Sequence, residues 1–152
     1  MDGDEGILSI LPWSELSAAE RMILVFKLSS ALKKVHAEDL LHRDLKPENV
    51  MIDEEGDVKL ADFGGTKDQA SIDAGGNQTG LFTWGWADKQ ARDGKYSKTS
   101  EVYSFACLAY YMLTATPLFT RDDASTYLNN TPEINYYEHD YALLQGTLKS
   151  CL

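Results

Sequence analysis

The chain has little cysteine, little proline and a shortage of positive charge. Its 152 residues include 2 cysteines, Cys107 and Cys151, and 4 prolines. One pair of cysteines does not make a disulfide framework. Lys and Arg number 14 against 24 Asp and Glu, so the formal net charge is −10 at pH 7. This excess of negative charge argues against general nucleic-acid binding and against docking on anionic lipid.

Long apolar runs and a targeting signal are also missing. The longest apolar run, from Phe105 to Leu113, is too short to cross a bilayer. The chain opens with Asp2, Asp4 and Glu5, which is the wrong charge for a signal peptide. These absences predict a cytoplasmic protein with no membrane and no nucleic-acid partner. The length suggests one domain, or two small ones, with a real core.

The first predicted helix begins at a capping box, Ser17-Ala18-Ala19-Glu20, and runs to about Val35-His36. Several of its apolar residues share one face and others widen it: Leu24, Leu28, Ala31, Leu32 and Val35, then Met22, Ile23, Val25 and Phe26. We therefore expect this helix to be largely buried. His36 is expected to be structural, because helix C-termini favour histidine.

The second predicted helix runs from Ser100 through Leu113 and is apolar nearly all round. It should therefore form the core, with Cys107 as a buried small hydrophobe. Pro117 is expected to end it.

A hairpin pattern lies between the two helices. The strands are Val50-Met51-Ile52 and 58–61, joined by turn residues at 53–57. The hairpin places Asn49 and Asp62 at the two open ends of one ribbon. Their oxygens are hard ligands of the kind that Mg²⁺ prefers.

Two charged motifs flank this hairpin. The first is His42-Arg43-Asp44-Leu45-Lys46-Pro47-Glu48-Asn49-Val50, which has the composition of a loop. The second is Lys59-Leu60-Ala61-Asp62-Phe63-Gly64. Together they resemble the catalytic loop and the metal-binding loop of eukaryotic-type protein kinases of the Ser/Thr-like kind. The resemblance implies a mainly α fold, a kinase C-terminal lobe that is helical with a small β-hairpin at these loops.

The resemblance also implies the chemistry. Asp44 would accept the proton of the attacking hydroxyl, and Lys46 would lie near the moving phosphate, so both are expected to be catalytic. Lys46, Asn49 and Asp62 would bind the cofactor, ATP with Mg²⁺, and the last two would be the metal ligands. The substrate would be a protein.

Other residues receive supporting roles from the resemblance. His42 is expected to be a packed scaffold residue rather than a base. Phe63 and Gly64 are structural, and Gly64 would let the backbone turn after Phe63. Arg43 resembles the arginine that pairs with a phosphorylated residue, although a plain salt bridge is the alternative.

Residues 62–88 correspond to the activation segment, and 65–79 are expected to be loop. Hydroxyl candidates for phosphorylation are Thr66, Ser71, Thr79 and Thr83. Of these, Thr79 and Thr83 are our regulatory predictions together with Arg43.

Three positions depart from the family pattern. Leu81 is placed where a threonine usually touches the catalytic aspartate and lysine. Asp88 replaces a glutamate and is expected to lack its family partner, an arginine beyond the end of the chain. Glu101 replaces an aspartate that anchors the catalytic-loop backbone. Asp88 and Glu101 are expected to be structural.

The resemblance covers a partial kinase domain, 1–152, with 1–16 as the post-hinge region and 42–50 as the catalytic loop. No Gly-rich loop and no strand lysine precede residue 17, so the missing N-lobe is an expected partner. Three functions stay open: a kinase lobe active when completed by an N-lobe, an inactive pseudokinase-like scaffold or binding module, and a small-molecule phosphotransferase. Lys46 and Phe63 favour a protein kinase over the last.

Overall fold

Two long helices and a small sheet carry the fold. The structure is a computed structural model, and it describes residues 6–7, 15–76, 82–120, 122 and 124–129. The predictions made for Thr79, Leu81 and Cys151 lie outside these residues.

Helix α1, Ala18–Ala37, begins at the predicted capping box. The Ser17 hydroxyl accepts a hydrogen bond from the Glu20 backbone N–H at 3.3 Å. In return, the Glu20 carboxylate accepts one from the Ser17 backbone N–H at 2.7 Å. Both bonds satisfy N–H groups that a helix start leaves open.

Replacing Ser17 with alanine is expected to lower the free energy of unfolding by about 1 kcal/mol, because a first-turn N–H loses its acceptor. Chemical denaturation measures the change. Ser30→Ala is the control, since the Ser30 hydroxyl bonds within the helix to the Phe26 carbonyl. That bond does little for a helix, so the control should be nearly neutral. Equal losses in the two variants would contradict the capping role.

The prediction that α1 is largely buried is wrong for one side of the helix. Val25, Leu28 and Leu32 are buried, where α1 packs against helix α4 (Lys98–Thr114) and strand β4 (Val58–Leu60). The opposite side leaves three large apolar side chains exposed by 44, 54 and 72%: Met22, Ile23 and Phe26. The helix carries more apolar residues than one packed side can cover.

Helix α4 forms the core, as predicted. Ser97 caps its start, and it ends at Ala115, whose φ of 58° is left-handed, rather than at Pro117. Cys107 is fully buried. Burial raises the pKa of its thiol, so Cys107 stays protonated and inert.

The predicted hairpin is confirmed. Strands β3 (Val50–Ile52) and β4 pair antiparallel with Val50 opposite Leu60. Strand β1, Gly6–Ile7, adds to the other edge of β3, so the sheet order is β1-β3-β4.

The expectation of a continuous loop over 65–79 is wrong for 67–76. Strand β5, Lys67–Asp68, pairs antiparallel with strand β2, Leu40–Leu41. A single turn of helix, α2 (Gln69–Ser71), and a wider turn, Ile72–Gly76, follow.

The burial of Ile72 explains why residues 67–76 adopt regular structure rather than a continuous loop. Its side chain is 5% exposed and belongs to an apolar cluster that also holds Leu41, Ala87, Ala91 and Tyr96. We call 67–76 the docked segment. Two further short helices, α3 (Lys89–Arg92) and α5 (Ala124–Asn129), complete the described elements.

Candidate active site

The Asp44 carboxylate lies at the centre of a small hydrogen-bond network. Its Oδ1 accepts a bond from the Thr83 hydroxyl at 2.8 Å. Its Oδ2 accepts from the Asn49 Nδ2 at 3.1 Å and forms an ion pair with the Lys46 Nζ at 2.9 Å. Lys46 Nζ also donates to the Thr83 hydroxyl at 3.2 Å.

Counting lone pairs shows what this carboxylate can still do. A carboxylate offers about four acceptor sites, two on each oxygen. Lys46 and Asn49 take two on Oδ2, and Thr83 takes one on Oδ1. Counting the bonds from the described residues, one acceptor site on Oδ1 therefore remains for a further hydroxyl group.

Thr83 corrects the alignment made from sequence. We placed Leu81 at the position of the threonine that touches the catalytic aspartate and lysine, but Thr83 makes both contacts. Thr83 precedes Asp88 by five residues, whereas the residue chosen from sequence, Leu81, precedes it by seven. The departure assigned to Leu81 is thereby removed. Thr83 as a phosphorylation site stays a prediction.

Asn49 and Asp62 lie on neighbouring ends of the hairpin. The Asn49 carbonyl accepts from the Ala61 N–H at 2.8 Å, and Asp62 follows directly. The Asn49 Nδ2 donates to the Asp44 carbonyl as well as to its carboxylate, at 2.9 and 3.1 Å. With both amide hydrogens used, the Asn49 Oδ1 is left as an acceptor. An amide oxygen and a carboxylate are a donor set that fits Mg²⁺.

The turn after Asp62 differs from the prediction. The left-handed residue is Asp62 itself, with φ of 57°, and Gly64 is not left-handed. The Gly64 N–H donates to Asp62 Oδ1 at 3.4 Å, and a Cβ at Gly64 would lie 3.3 Å from that oxygen. A side chain at this position would therefore require the Asp62 carboxylate to shift by a few tenths of an ångström.

His42 joins the two loops. Its ring is fully buried, and Nδ1 accepts the Asp44 backbone N–H at 3.3 Å. Nε2 lies 2.7 Å from the Ala61 carbonyl and must carry the proton. The ring also packs edge-on against Phe63, with centroids 5.0 Å apart. With Nδ1 and Nε2 both engaged in this way, His42 serves as a scaffold in this structure.

Glu101 holds the backbone beside the catalytic loop. The side chain is fully buried at the start of α4. Its Oε1 accepts from the Arg43 N–H at 2.7 Å and from the Tyr96 hydroxyl at 3.1 Å. Its Oε2 lies 2.6 Å from the His36 Nε2. Three separate parts of the chain therefore meet at one carboxylate.

Arg43 is held in a strained conformation with φ of 73°. Its guanidinium stacks over the Tyr96 ring, 5.7 Å from the centroid, and donates to the Gly65 carbonyl at 3.4 Å. Pairing of Arg43 with a phosphate stays a prediction.

Asp88 is buried and engaged. Its carboxylate accepts the Ala91 N–H at 2.8 Å and so caps α3. We expected Asp88 to lack its family partner, but a helix start within the chain supplies a donor in its place.

A cavity of about 330 Å³ opens at this network. Its lining comes from the catalytic loop, from the loop that holds Asp62 and from the residues before α3: Arg43, Asp44, Asp62, Gly64, Gly65, Phe82 and Thr83. This volume is at the lower end of the range for small-molecule sites.

A comparison with protein-family models identifies the family. The family model described as "Protein kinase domain" matches residues 9–146. The chain belongs to the protein kinase family. It is of the eukaryotic, Ser/Thr-like type, as its similar proteins show.

Three relatives of this chain illustrate the similarity. The serine/threonine-protein kinase PknL of Mycobacterium tuberculosis is 43% identical over 95 residues, 61% of this chain. The serine/threonine-protein kinase/endoribonuclease IRE1 of Oryza sativa subsp. japonica is 34% identical over 138 residues, 86% of this chain. The mitogen-activated protein kinase mpkB of Aspergillus fumigatus is 31% identical over 121 residues, 75% of this chain.

The aligned regions are a minor part of each relative. They cover 24% of PknL, 14% of IRE1 and 33% of mpkB. In the part of the kinase chain that the structure describes, no helix is both long and apolar enough to span a membrane.

Two residues of the site were missed from sequence. Tyr96 was given no role, and His36 was treated as a helix-end residue with no named partner. Both contact Glu101 through bonds that span 5 and 65 positions. A tyrosine five residues before the glutamate was the available signal for the first contact, and no local pattern indicates the second.

Proposed function

We propose that this chain supplies the C-terminal lobe of a Ser/Thr protein kinase. Completed by an N-lobe, it transfers the γ-phosphoryl group of ATP to a serine or threonine hydroxyl of a protein. The single observation that carries this proposal is the Asp44 carboxylate. It is held by Lys46, Asn49 and Thr83, and these bonds, the ones made by the described residues, leave it one acceptor site at the cavity shared with Asp62.

Each residue of the site has a proposed role that follows from its chemistry. ATP bound with Mg²⁺ supplies the phosphoryl group. Asp44 accepts the proton of the substrate hydroxyl on the remaining site of Oδ1. Lys46 stabilises negative charge that develops beside Asp44. The Asn49 Oδ1 and the Asp62 carboxylate are the proposed metal ligands.

The surface around Phe63 is proposed to receive the N-lobe. Phe63 is 48% exposed although it packs on buried His42. It borders a cavity of about 330 Å³ between α1 and β4. Besides Phe63, its lining combines four apolar residues, Ala31, Val35, Val58 and Leu60, with five polar or charged ones, Lys27, Ser30, Lys34, Asp57 and Lys59. Large apolar groups left open in this way are typical of interaction surfaces.

An inactive scaffold is the competing proposal. It drew on three departures from the family pattern, at Leu81, Asp88 and Glu101. Thr83 makes the contacts for which Leu81 seemed unsuitable. Glu101 still reaches the Arg43 N–H at 2.7 Å. Both observations favour a working site over a degenerate one.

The test is binding of Mg²⁺ with ATP by the full-length gene product that carries this chain. At tenfold above Kd, ligand binding should raise the unfolding temperature by about 3–6 °C. Asp62→Asn should abolish most of this shift, because a carboxylate metal ligand becomes a neutral amide. Differential scanning fluorimetry measures both.

The matched control is Asp73→Asn, an exposed aspartate in the docked segment. It should keep the full shift. A wild-type protein with no Mg²⁺-dependent shift would support the scaffold, and an equal shift in Asp62→Asn would remove Asp62 from the metal site.

A further inference from the structure

Tyr96 is a buried residue to which the proposed mechanism gives no part. It is 7% exposed and lies between α3 and α4. Its hydroxyl bonds to Glu101 Oε1, its ring stacks under the Arg43 guanidinium, and its ring also belongs to the cluster that holds Ile72. One side chain thus contacts the catalytic loop and the start of α4, and it lies in the same apolar cluster as Ile72 of the docked segment.

We propose that Tyr96 is a positioning residue that couples the docked segment to Asp44 through Glu101 and Arg43. This inference rests on the proposed function, since it concerns how the same site is held. Tyr96 touches no reacting group and acts only through its neighbours.

The first step of the coupling runs from Ile72 to the Tyr96 ring. Ile72 is buried, while Asp73, Ala74 and Gly75 beside it are exposed. Ile72 is therefore the apolar anchor of this stretch, and it shares one buried apolar cluster with the Tyr96 ring. Because buried clusters are closely packed, a docked Ile72 limits the movement of the Tyr96 ring in the same cluster.

The second step runs from the Tyr96 hydroxyl to the Arg43 backbone. Both donors share a single oxygen, Glu101 Oε1, at 3.1 and 2.7 Å. Burial and the Glu101 charge raise the pKa of Tyr96 well above its ordinary value. The hydroxyl therefore stays protonated and donates at neutral pH. This bond holds Glu101 Oε1 in place, and the same oxygen accepts the bond from the Arg43 backbone N–H.

The third step runs from Arg43 to Asp44. Arg43 has a left-handed φ of 73°, which costs free energy unless neighbours impose it. The bond from its N–H to Glu101 and the stack of its guanidinium on Tyr96 both impose it. Asp44 follows directly, so the direction of its carboxylate depends on this constraint.

The test is Tyr96→Phe, which removes one oxygen atom and keeps the ring. Amide exchange of Arg43, measured by NMR in the ¹⁵N-labelled protein, should become roughly tenfold faster, because Glu101 loses a charge-assisted bond. Exchange of core amides in α4 should stay within about twofold. Tyr111→Phe is the control: it removes a hydroxyl from a half-buried tyrosine on α4 whose ring packs edge-on against Trp86. It should leave Arg43 exchange unchanged.

A second variant, Ile72→Ala, tests the link to the docked segment without touching the hydroxyl. It should also raise the amide exchange rate of Arg43, but by a smaller factor than Tyr96→Phe does. In phosphoryl transfer, Tyr96→Phe should lower kcat while KM for ATP stays unchanged. Unchanged Arg43 exchange in Tyr96→Phe, or an equal rise across all core amides, would overturn the proposal.

The two proposals can fail separately. If wild type and Asp44→Asn transfer no phosphate, the proposed kinase activity is wrong, and Arg43 exchange still decides the role of Tyr96. If Asp44→Asn abolishes transfer while Tyr96→Phe changes neither exchange nor kcat, only the positioning role is wrong.

Discussion

Asp44→Asn is expected to lower phosphoryl transfer to a protein substrate by about 10²–10⁴-fold, the usual contribution of a positioned general base. Asparagine has nearly the same shape but cannot take up the proton of the attacking hydroxyl. It also presents an amide N–H₂ where the carboxylate accepts bonds from Lys46, Asn49 and Thr83. A radiometric or coupled assay on the full-length gene product measures the loss.

The matched control for this variant is Asp39→Asn. Asp39 is exposed, pairs with Lys98 at 3.1 Å, and has a left-handed φ of 56°, which asparagine also tolerates. An exposed ion pair contributes little, so transfer and stability should both be unchanged. Full turnover in Asp44→Asn would remove Asp44 as the base, whatever the control shows.

Binding separates two reasons for a loss of activity. Asp44→Asn retains Asn49 and Asp62, so the Mg²⁺-dependent shift with ATP should persist while transfer falls. Asp62→Asn should lose both. A loss of the shift in Asp44→Asn would mean that the carboxylate holds the loop together rather than taking the proton.

Local patterns in the sequence predicted local structure well. The capping box at Ser17 and the hairpin pairing of Val50 with Leu60 depend on residues close in the chain, and both are present. The nearness of Asn49 and Asp62 follows from that hairpin, so it too could be derived before the structure.

Contacts between distant parts of the chain were not predictable in the same way. Residues 67–76 adopt regular structure because Ile72 is buried in an apolar cluster that also holds Ala87, Ala91 and Tyr96, which are distant in the sequence. How much of α1 is exposed depends on how many elements pack against it, and the spacing of apolar residues does not predict that number. Leu81 was placed at the threonine position because the alignment counted back from Asp88, and only the contacts of Thr83 with Asp44 and Lys46 show which residue occupies that place.

Glu101 illustrates a different limit. The sequence showed a carboxylate one methylene longer than the aspartate of the family pattern, and we counted it among three departures. In the structure the longer side chain still reaches Arg43 and also contacts Tyr96 and His36. A departure from a family pattern is a defect only if its neighbours do not adjust to it.

Glu101→Leu should therefore lower the free energy of unfolding by about 3–5 kcal/mol, among the largest effects of a single replacement in this chain. Leucine fills a similar volume, so the cost comes from lost acceptors rather than from a cavity. The Arg43 N–H and the Tyr96 hydroxyl would stay buried without an acceptor, whereas half-buried His36 can turn to water.

Chemical denaturation with two further variants separates the causes. Glu101→Gln keeps one oxygen for Arg43 and Tyr96 and turns its amide toward His36, so its cost should be intermediate. Glu55→Leu, at an exposed position in the hairpin turn, should cause no measurable loss. If Glu101→Leu were no less stable than Glu101→Gln, the buried donors would have found other acceptors. The carboxylate would then not be what holds Arg43 of the catalytic loop in its left-handed conformation.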